Sequence, residues 1–218
     1  MTSAAPPPAA PARPRARRLA SAGVILEAAA TLFLRHGFLG TSVDDIAALA
    51  HVSKQTVYTH FADKEQLFTA LIHGNIARVD AFVEAIAALP DEATAVEPHL
   101  RALARRHIHA VIQPPALQLR RLVIGEAGRF PELARTYYER VPQRVIHLLA
   151  SHLQHLADRG LLEVPDTLLA ANHLAWLVLA VPLDQAMFCG DAACPSPAEL
   201  DRFADAAVDV FLAAYASR

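Results

Sequence analysis

An all-α fold is predicted by three features of the sequence. Apolar side chains recur at spacings of three and four along most of its 218 residues, which is the period of an amphipathic helix. Proline and glycine fall mostly where these stretches end, as helix termini require. No run alternates apolar and polar residues in the Val/Ile/Thr-rich manner of a strand. The 54% apolar content is ample for a buried core, and the length suits either one large domain or a small one plus a medium one.

The elements follow in order. Met1 to Arg18 is rich in Ala and Pro and then in Arg; it lacks the apolar centre of a secretory signal and reads as a disordered arm. From Leu19 to His36 one stripe is formed by Val24, Ile25, Ala28, Ala29, Leu32 and Phe33, and Gly37 ends that helix as a C-terminal cap. Thr41 or Ser42 can cap a short second helix. Its first turn carries Asp44 and Asp45 at the positive end of the helix dipole, and Ile46, Ala47, Leu49 and Ala50 point inward. His51-Val52-Ser53 makes a tight turn, and Ser53 caps a third helix, Lys54 to His60. A long helix from Asp63 toward Leu89 is stopped by Pro90. Further helices are expected over about Ala95–Ile112, Pro115–Gly128, Pro131–Arg159, Asp166–Met187 and Ser196–Ala216. That makes about nine helices in all.

Composition excludes several functions. Cys189 and Cys194 form neither a disulfide framework nor a zinc signature, which fits a reducing cytoplasm. The apolar run from Leu168 to Pro182 is interrupted by Asn172 and His173 and is too short to span a bilayer. There is no GxSxG elbow, no phosphate-binding glycine loop, no HExxH and no nucleophilic cysteine context, so no catalytic constellation is present. His107 and His109 are two apart and cannot face one another on a helix; His152 and His155 can, but no third ligand accompanies them. Neither a metal nor a cofactor is expected.

Charge is unevenly spread. Residues 1–60 hold six basic side chains (Arg13, Arg15, Arg17, Arg18, Arg35, Lys54) against three acidic ones (Glu27, Asp44, Asp45), a net +3 within a total of −2. The basic end is where a polyanion could dock. Two helices of about two turns joined by about three residues have the helix-turn-helix geometry. The outer face of the second holds Lys54, Gln55, Thr56, Tyr58, Thr59 and His60, rich in donors and free of negative charge, as phosphates and base edges require. The same pattern also describes a short solvated helix in an ordinary bundle, so an all-helical scaffold or sensor that never touches DNA stands as the alternative.

A nearly continuous stretch then resembles a known family. ILEAAATLF (Ile25 to Phe33), HGFLGTS (His36 to Ser42), IAALA (Ile46 to Ala50), VSKQTVYTHF (Val52 to Phe61) and DKEQLF (Asp63 to Phe68) look like the N-terminal DNA-binding domain of the TetR family. The resemblance implies a DNA-binding domain over 19–66 and a ligand-binding and dimerisation domain over 67–218. It places DNA contacts on Ser53, Lys54, Gln55, Thr56, Tyr58, Thr59 and His60, and phosphate contacts on Thr41, Ser42 and Lys64. His51 departs from the glycine usual in the family at that turn, where it would bear modest strain if the backbone is left-handed. The four arm arginines either reach a minor groove or merely keep the arm soluble. Leu119 to Glu139 is similar to the C-terminal domain of AefR-like members.

From this resemblance a homodimer on palindromic double-stranded operator DNA is expected, with an unidentified small-molecule effector and no membrane. Fold does not fix whether such binding represses or activates, and repression is the reading taken. Ligand candidates are Arg106, His107, Leu122, Glu126, Phe130, Tyr137, Trp176 and Phe188, apolar and aromatic groups with a few polar anchors. The last two helices carry more apolar surface than one subunit needs, and the dimer is expected on Leu169, His173, Trp176, Phe203, Val210 and Phe211. Ligand entry would favour a conformer in which the fourth helix moves the recognition helices out of register with successive major grooves.

Overall fold

A computed structural model describes residues 14–87 and 95–217. Ten α-helices run along them: α1 (Pro14–His36), α2 (Val43–Leu49), α3 (Lys54–His60), α4 (Lys64–Ala87), α5 (Val96–Val111), α6 (Pro114–Gly125), α7 (Pro131–Arg140), α8 (Pro142–Asp158), α9 (Thr167–Cys189) and α10 (Pro197–Tyr215). A 3-10 turn, Asp191–Ala193, precedes the last of them. The described residues contain no strand, only an isolated antiparallel bridge between Leu162 and Ala216. All nine expected helical stretches are present, and the one over Pro131–Arg159 is divided at Val141 because Pro142 has no N–H to continue the ladder. The helix α1 starts at Pro14, so the expected disordered arm loses its last five residues to it. Proline is favoured in a first helical turn, and Arg and Ala are strong helix formers. The rest of the arm and the expected stop at Pro90 lie outside the described residues.

Two compact units make up the chain, Met1–Leu71 and Ile72–Arg218. The boundary therefore lies within α4, five residues beyond the one expected from sequence.

In the first unit Ile25, Ala29, Phe33, Ile46, Val57, Leu67 and Phe68 are buried. Phe33, Phe38 and Phe68 form an aromatic cluster with ring centroids 5.3–5.8 Å apart, two of the three pairs being edge-on, an arrangement worth about 1 kcal/mol per pair beyond burial. Val24 and Leu49, expected to face inward, are exposed. On α2 the inner arc is centred between Ile46, Ala47 and Ala50, and Leu49 falls beside it at 100° per residue. Gly37 ends α1 at a φ of 69° with its N–H on the Phe33 carbonyl. Gly40 lies so close to the end of α1 that a Cβ there would stand 2.3 Å from the His36 carbonyl oxygen.

The second unit is centred on Leu100, Ile108, Leu117, Leu153, Leu156, Val178 and Phe211. Its helices α5, α8 and α10 pack against α9, and α10 also against α5. By length and composition alone α9 is apolar enough to cross a membrane. Here its small inner residues, Ala170, Ala171, Ala175 and Ala186, are buried in the core of this unit. Polar ties surround this core: Arg101 reaches Glu97, Asp205 and Asp209, Arg105 pairs with Asp205, and Arg121 with Asp191.

The turn between α2 and α3 stores strain. His51 has a φ of 53° and its side chain is exposed, while the Val52 N–H returns to the Ala47 carbonyl at 3.0 Å. A left-handed residue with a Cβ costs about 1–2 kcal/mol, partly offset by the greater chain entropy glycine would lose. His51→Gly is therefore expected to stabilise the protein by about 0.5–1 kcal/mol, read as a higher urea midpoint. A lower midpoint would mean that the imidazole makes contacts outweighing the strain.

Candidate nucleic-acid interface

Both short helices are capped by side chains. Ser42 Oγ accepts the Asp45 N–H at 3.1 Å while the Asp45 carboxylate accepts the Ser42 N–H at 3.4 Å, a complete capping box. Of the two sequence candidates for this cap, Ser42 fills the role. Ser53 Oγ accepts the Thr56 N–H at 3.1 Å and lies 2.8 Å from the Thr56 hydroxyl. Each such cap contributes about 1 kcal/mol, which matters for helices of seven residues.

Capping fixes which way α3 faces. Only Val57 is buried, at 2% exposure; Ser53, Lys54, Gln55, Tyr58 and Thr59 are exposed, with Thr56 and His60 half-exposed. The polar set read from the sequence is thus brought onto one solvent-facing surface. Thr59 donates its hydroxyl to the Gln55 carbonyl at 2.8 Å, whereas the Gln55 amide side chain extends from an exposed position at the start of the helix. An open depression lies between the α1–α2 loop, the start of α2 and α3, bordered by Leu39, Ser42, Asp44, Lys54, Tyr58 and Lys64.

Charge in this depression is partly self-compensated. The Lys54 ammonium lies 2.9 Å from an Asp44 carboxylate oxygen, and this hydrogen bond, more than the Coulomb attraction, raises the Lys54 pKa so that it stays a cation. The pair is well exposed, so it is weak and yields readily to another anion. Sequence reasoning named Lys54 but not its partner Asp44, nor the exposed Leu39 at the rim. A residue ten positions away is outside the reach of helix-spacing rules.

Two residues expected to touch phosphate are placed differently. The Thr41 side chain is buried, 2% exposed, and donates its hydroxyl to the Gly37 carbonyl at 2.9 Å. Lys64 Nζ donates to the carbonyls of Phe38 and Thr41, both at 2.8 Å, and lies 4.3 Å from the Phe38 ring centroid. Both side chains therefore brace the α1–α2 loop from within. The reason is that this loop leaves carbonyls facing inward, and buried carbonyls require donors.

In the second unit the remaining candidates separate by burial. Leu122 and Tyr137 are buried, while His107, Glu126 and Phe130 are half-buried. Arg106 is exposed, and Trp176 and Phe188 are 56% and 84% exposed, so these three line no interior of this unit. Among the expected interface residues Leu169, His173, Trp176 and Val210 are exposed, Phe203 is half-buried, and Phe211 is core at 1% exposure. Phe211 shares the inner stripe of Leu200, Ala204, Ala207 and Val208; the apolar stripe of α10 is wide enough that sequence alone merges its core and outer edges. Arg120, half-buried on α6 and close enough for its charge to bear on His107 and Tyr137, was missed because an arginine in an apolar stripe reads as surface.

Comparison with known proteins agrees with this geometry. The pattern of "Bacterial regulatory proteins, tetR family" matches residues 25–71, and that of "AefR-like transcriptional repressor, C-terminal domain" matches residues 98–217. A solved TetR-family transcriptional regulator from Mesorhizobium loti is 42% identical with a TM-score of 0.82, over 92% of this chain and 98% of that one. The flavonoid-responsive regulator FrrA is 31% identical with a TM-score of 0.70, over 91% and 98% respectively. The HTH-type transcriptional repressor SCO4008 of Streptomyces coelicolor is 42% identical over 48 residues, 22% of this chain and 25% of that protein. YhgD of Bacillus subtilis, an HTH-type transcriptional regulator, is 49% identical over 45 residues, 21% of this chain and 24% of its own. The chain thus spans about a quarter of the length of these two curated relatives. Proteins of this kind are DNA-binding regulators and not enzymes. With both halves matched and the capped α2–α3 pair in place, the chain belongs to the TetR family of bacterial transcriptional regulators.

Proposed function

We propose that this protein is a cytoplasmic, ligand-responsive repressor that binds a palindromic operator as a homodimer through α3 and leaves it when a small apolar or amphipathic molecule enters the second unit. The observation that carries the DNA reading is that α3 buries Val57 alone and leaves Lys54, Gln55, Tyr58 and Thr59 exposed to solvent. Lys54 and Tyr58 take phosphate oxygens, with Ser42 at the rim of the same depression, and Gln55 reads a base edge, adenine by the geometry of its amide. Thr56, Thr59 and His60 complete the surface, and Ser53 fixes its start. Thr41 and Lys64 act from behind, holding the loop on which Ser42 stands. On binding, a phosphate replaces Asp44 as the partner of Lys54.

The dimer forms on the outer face of α9 and α10. Leu169, His173, Trp176, Leu177 and Val181 recur at three-four spacing on α9, all exposed, and Val210 is exposed on α10. Such a stripe is larger than scattered surface apolars and fits a two-fold interface. A ligand in the second unit is supported by the AefR-like match and by the ligand response that the name of FrrA records for that protein. Release works by population shift, with α4 continuous from the first unit into the second and a coupling of a few kcal/mol sufficient.

Two measurements test this. Fluorescence anisotropy on the protein's own upstream intergenic DNA and on a scrambled duplex, at several salt concentrations, is expected to show nanomolar, salt-dependent binding to the former. Lys54→Ala should weaken both duplexes alike and reduce the log–log salt slope by about 1 per subunit, whereas Gln55→Ala should mainly erase the preference between them. Equal losses on both duplexes for Gln55→Ala would refute base reading. For the interface, light scattering at micromolar concentration should show a dimer that Trp176→Asp with Val181→Asp converts to a folded monomer; a monomeric wild type rules the interface out.

A further inference from the structure

The depression beside α3 carries more negative charge than a seat for phosphate calls for. Two cations border it, Lys54 and Lys64, against three carboxylates, Asp44, Asp45 and Asp63. Two of the three have a structural task. Asp45 closes the capping box of α2 on the N–H and hydroxyl of Ser42, and Asp63 accepts the Gln66 N–H at 2.7 Å at the start of α4. Asp44 caps nothing. Its carboxylate lies 2.9 Å from the Lys54 ammonium, and among the described residues that side chain makes no other hydrogen bond or ion pair.

Geometry makes this contact a rival to DNA. Lys54 is the first residue of α3 and Asp44 the second of α2, so the pair spans the two helices of the corner. Lys64, the other cation at the rim, is turned to the Phe38 and Thr41 carbonyls, whereas both Lys54 and Asp44 have more than half of their side chains exposed. A phosphate oxygen and a carboxylate oxygen ask the same of an ammonium, a charge-assisted hydrogen bond of about 2.7–2.9 Å. Three N–H groups can serve both anions at once only by setting the two side by side, where they repel. So exposed a pair adds little to folding, and a carboxylate in a first helical turn needs no lysine to gain from the helix dipole. What the pairing changes is the state from which DNA is bound.

We propose that Asp44 is an affinity-setting residue of the DNA interface: it holds Lys54 in the free protein as a backbone phosphate does in the complex, and so weakens binding to every duplex regardless of sequence. Binding requires that Lys54 exchange a carboxylate for a phosphate, and the carboxylate left behind stays beside the DNA backbone as a repulsive charge. Both effects act on phosphates, which carry no sequence information. Gln55, assigned to the base edge, is untouched. Discrimination between the operator and other DNA is therefore preserved while absolute affinity falls, which eases departure from non-specific sites. This rests on the DNA reading of α3 and deepens it by giving the Lys54 contact a competitor within the same chain.

The test is fluorescence anisotropy of the full-length protein on the upstream intergenic duplex and on the scrambled one, across a salt series. Asp44→Asn keeps the shape of the side chain and removes its charge. It is expected to tighten both duplexes about threefold per subunit, hence about tenfold for a dimer, the size of an exposed ion pair, with the ratio between duplexes held within about twofold. Asp44→Ser should match it. The log–log salt slope should stay that of wild type, because the same number of phosphates is contacted. Glu27→Gln, an equal change of charge at an exposed position of α1, should alter affinity by less than about twofold. In the Lys54→Ala background Asp44→Asn should gain no more than about threefold for the dimer, since no lysine is left to release. Melting of Asp44→Asn within about 3 °C of wild type confirms that the variant is folded. The proposal is overturned if Asp44→Asn binds no more tightly than wild type, as loss of a brace that aims Lys54 would have it, or gains on one duplex only. It is equally overturned if the gain is as large without Lys54, or if Glu27→Gln reproduces it. If neither wild type nor Asp44→Asn binds either duplex at low salt, the regulator reading falls and this one with it; DNA bound by wild type with no gain from Asp44→Asn removes this one alone.

Discussion

Seven-residue helices do not stand alone in water, because nucleation costs more than two turns of hydrogen bonds return. The whole DNA-binding reading depends on how α2 and α3 escape that limit. They do so by sharing one corner. Ser42 and Ser53 each satisfy one free N–H at their helix starts, Ile46, Ala47 and Val57 supply the buried contacts, and His51 accepts a left-handed backbone so that the chain can turn between them. Since a single buried side chain anchors α3, Lys54, Gln55, Tyr58 and Thr59 are left exposed to meet a ligand. A recognition surface is thus a by-product of economy: a helix too short to need a second apolar side can offer a wholly polar one.

The corner needs a floor, and the aromatic cluster of Phe33, Phe38 and Phe68 provides it. Lys64 connects floor to surface. Its ammonium lies over the Phe38 ring and donates to two carbonyls of the loop that leads into α2. This satisfies acceptors that would otherwise be stranded, and it fixes the height at which Ser42 and the start of α2 stand. Gly40 is needed in the same loop, which approaches the end of α1 too closely for a Cβ. Lys64 thus supports the loop while remaining a half-exposed cation at the edge of the same depression.

The fold was legible where periodicity and punctuation agree. Caps at Ser42 and Ser53, the stop at Gly37 and most helix limits in the second unit followed from residue types with known backbone demands, the break at Pro142 being the exception. The side chains of α3 were legible as a face because only one apolar residue interrupts them. What failed were cases in which tertiary contacts reassign a residue. Thr41 and Lys64 are polar residues drawn inward by carbonyls of a loop, and Phe211 is drawn into the core by a stripe wider than one contact. Trp176 and Phe188 are the converse as ligand candidates, large apolar groups left outside, although exposure of Trp176 agrees with its place among the expected interface residues.

Regulation requires that what happens at the second unit alter what the first presents, and the polar contacts along α4 limit how that can occur. Near its start α4 holds the loop before α2 through Lys64. Further along, Asp80 holds Arg140 at 2.5 Å and Arg144 at 3.2 Å, from α7 and α8. Arg140 lies one turn after buried Tyr137 on α7. On the proposed mechanism, a ligand that displaces α7 acts on the same short helix that grips α4 through Arg140. Because α7 is only ten residues long and is broken from α8 at Pro142, it can shift as a unit without unwinding the core helices behind it. A packed interior transmits such a shift as a choice between arrangements and not as a gradual strain. That is the behaviour a release mechanism of a few kcal/mol demands.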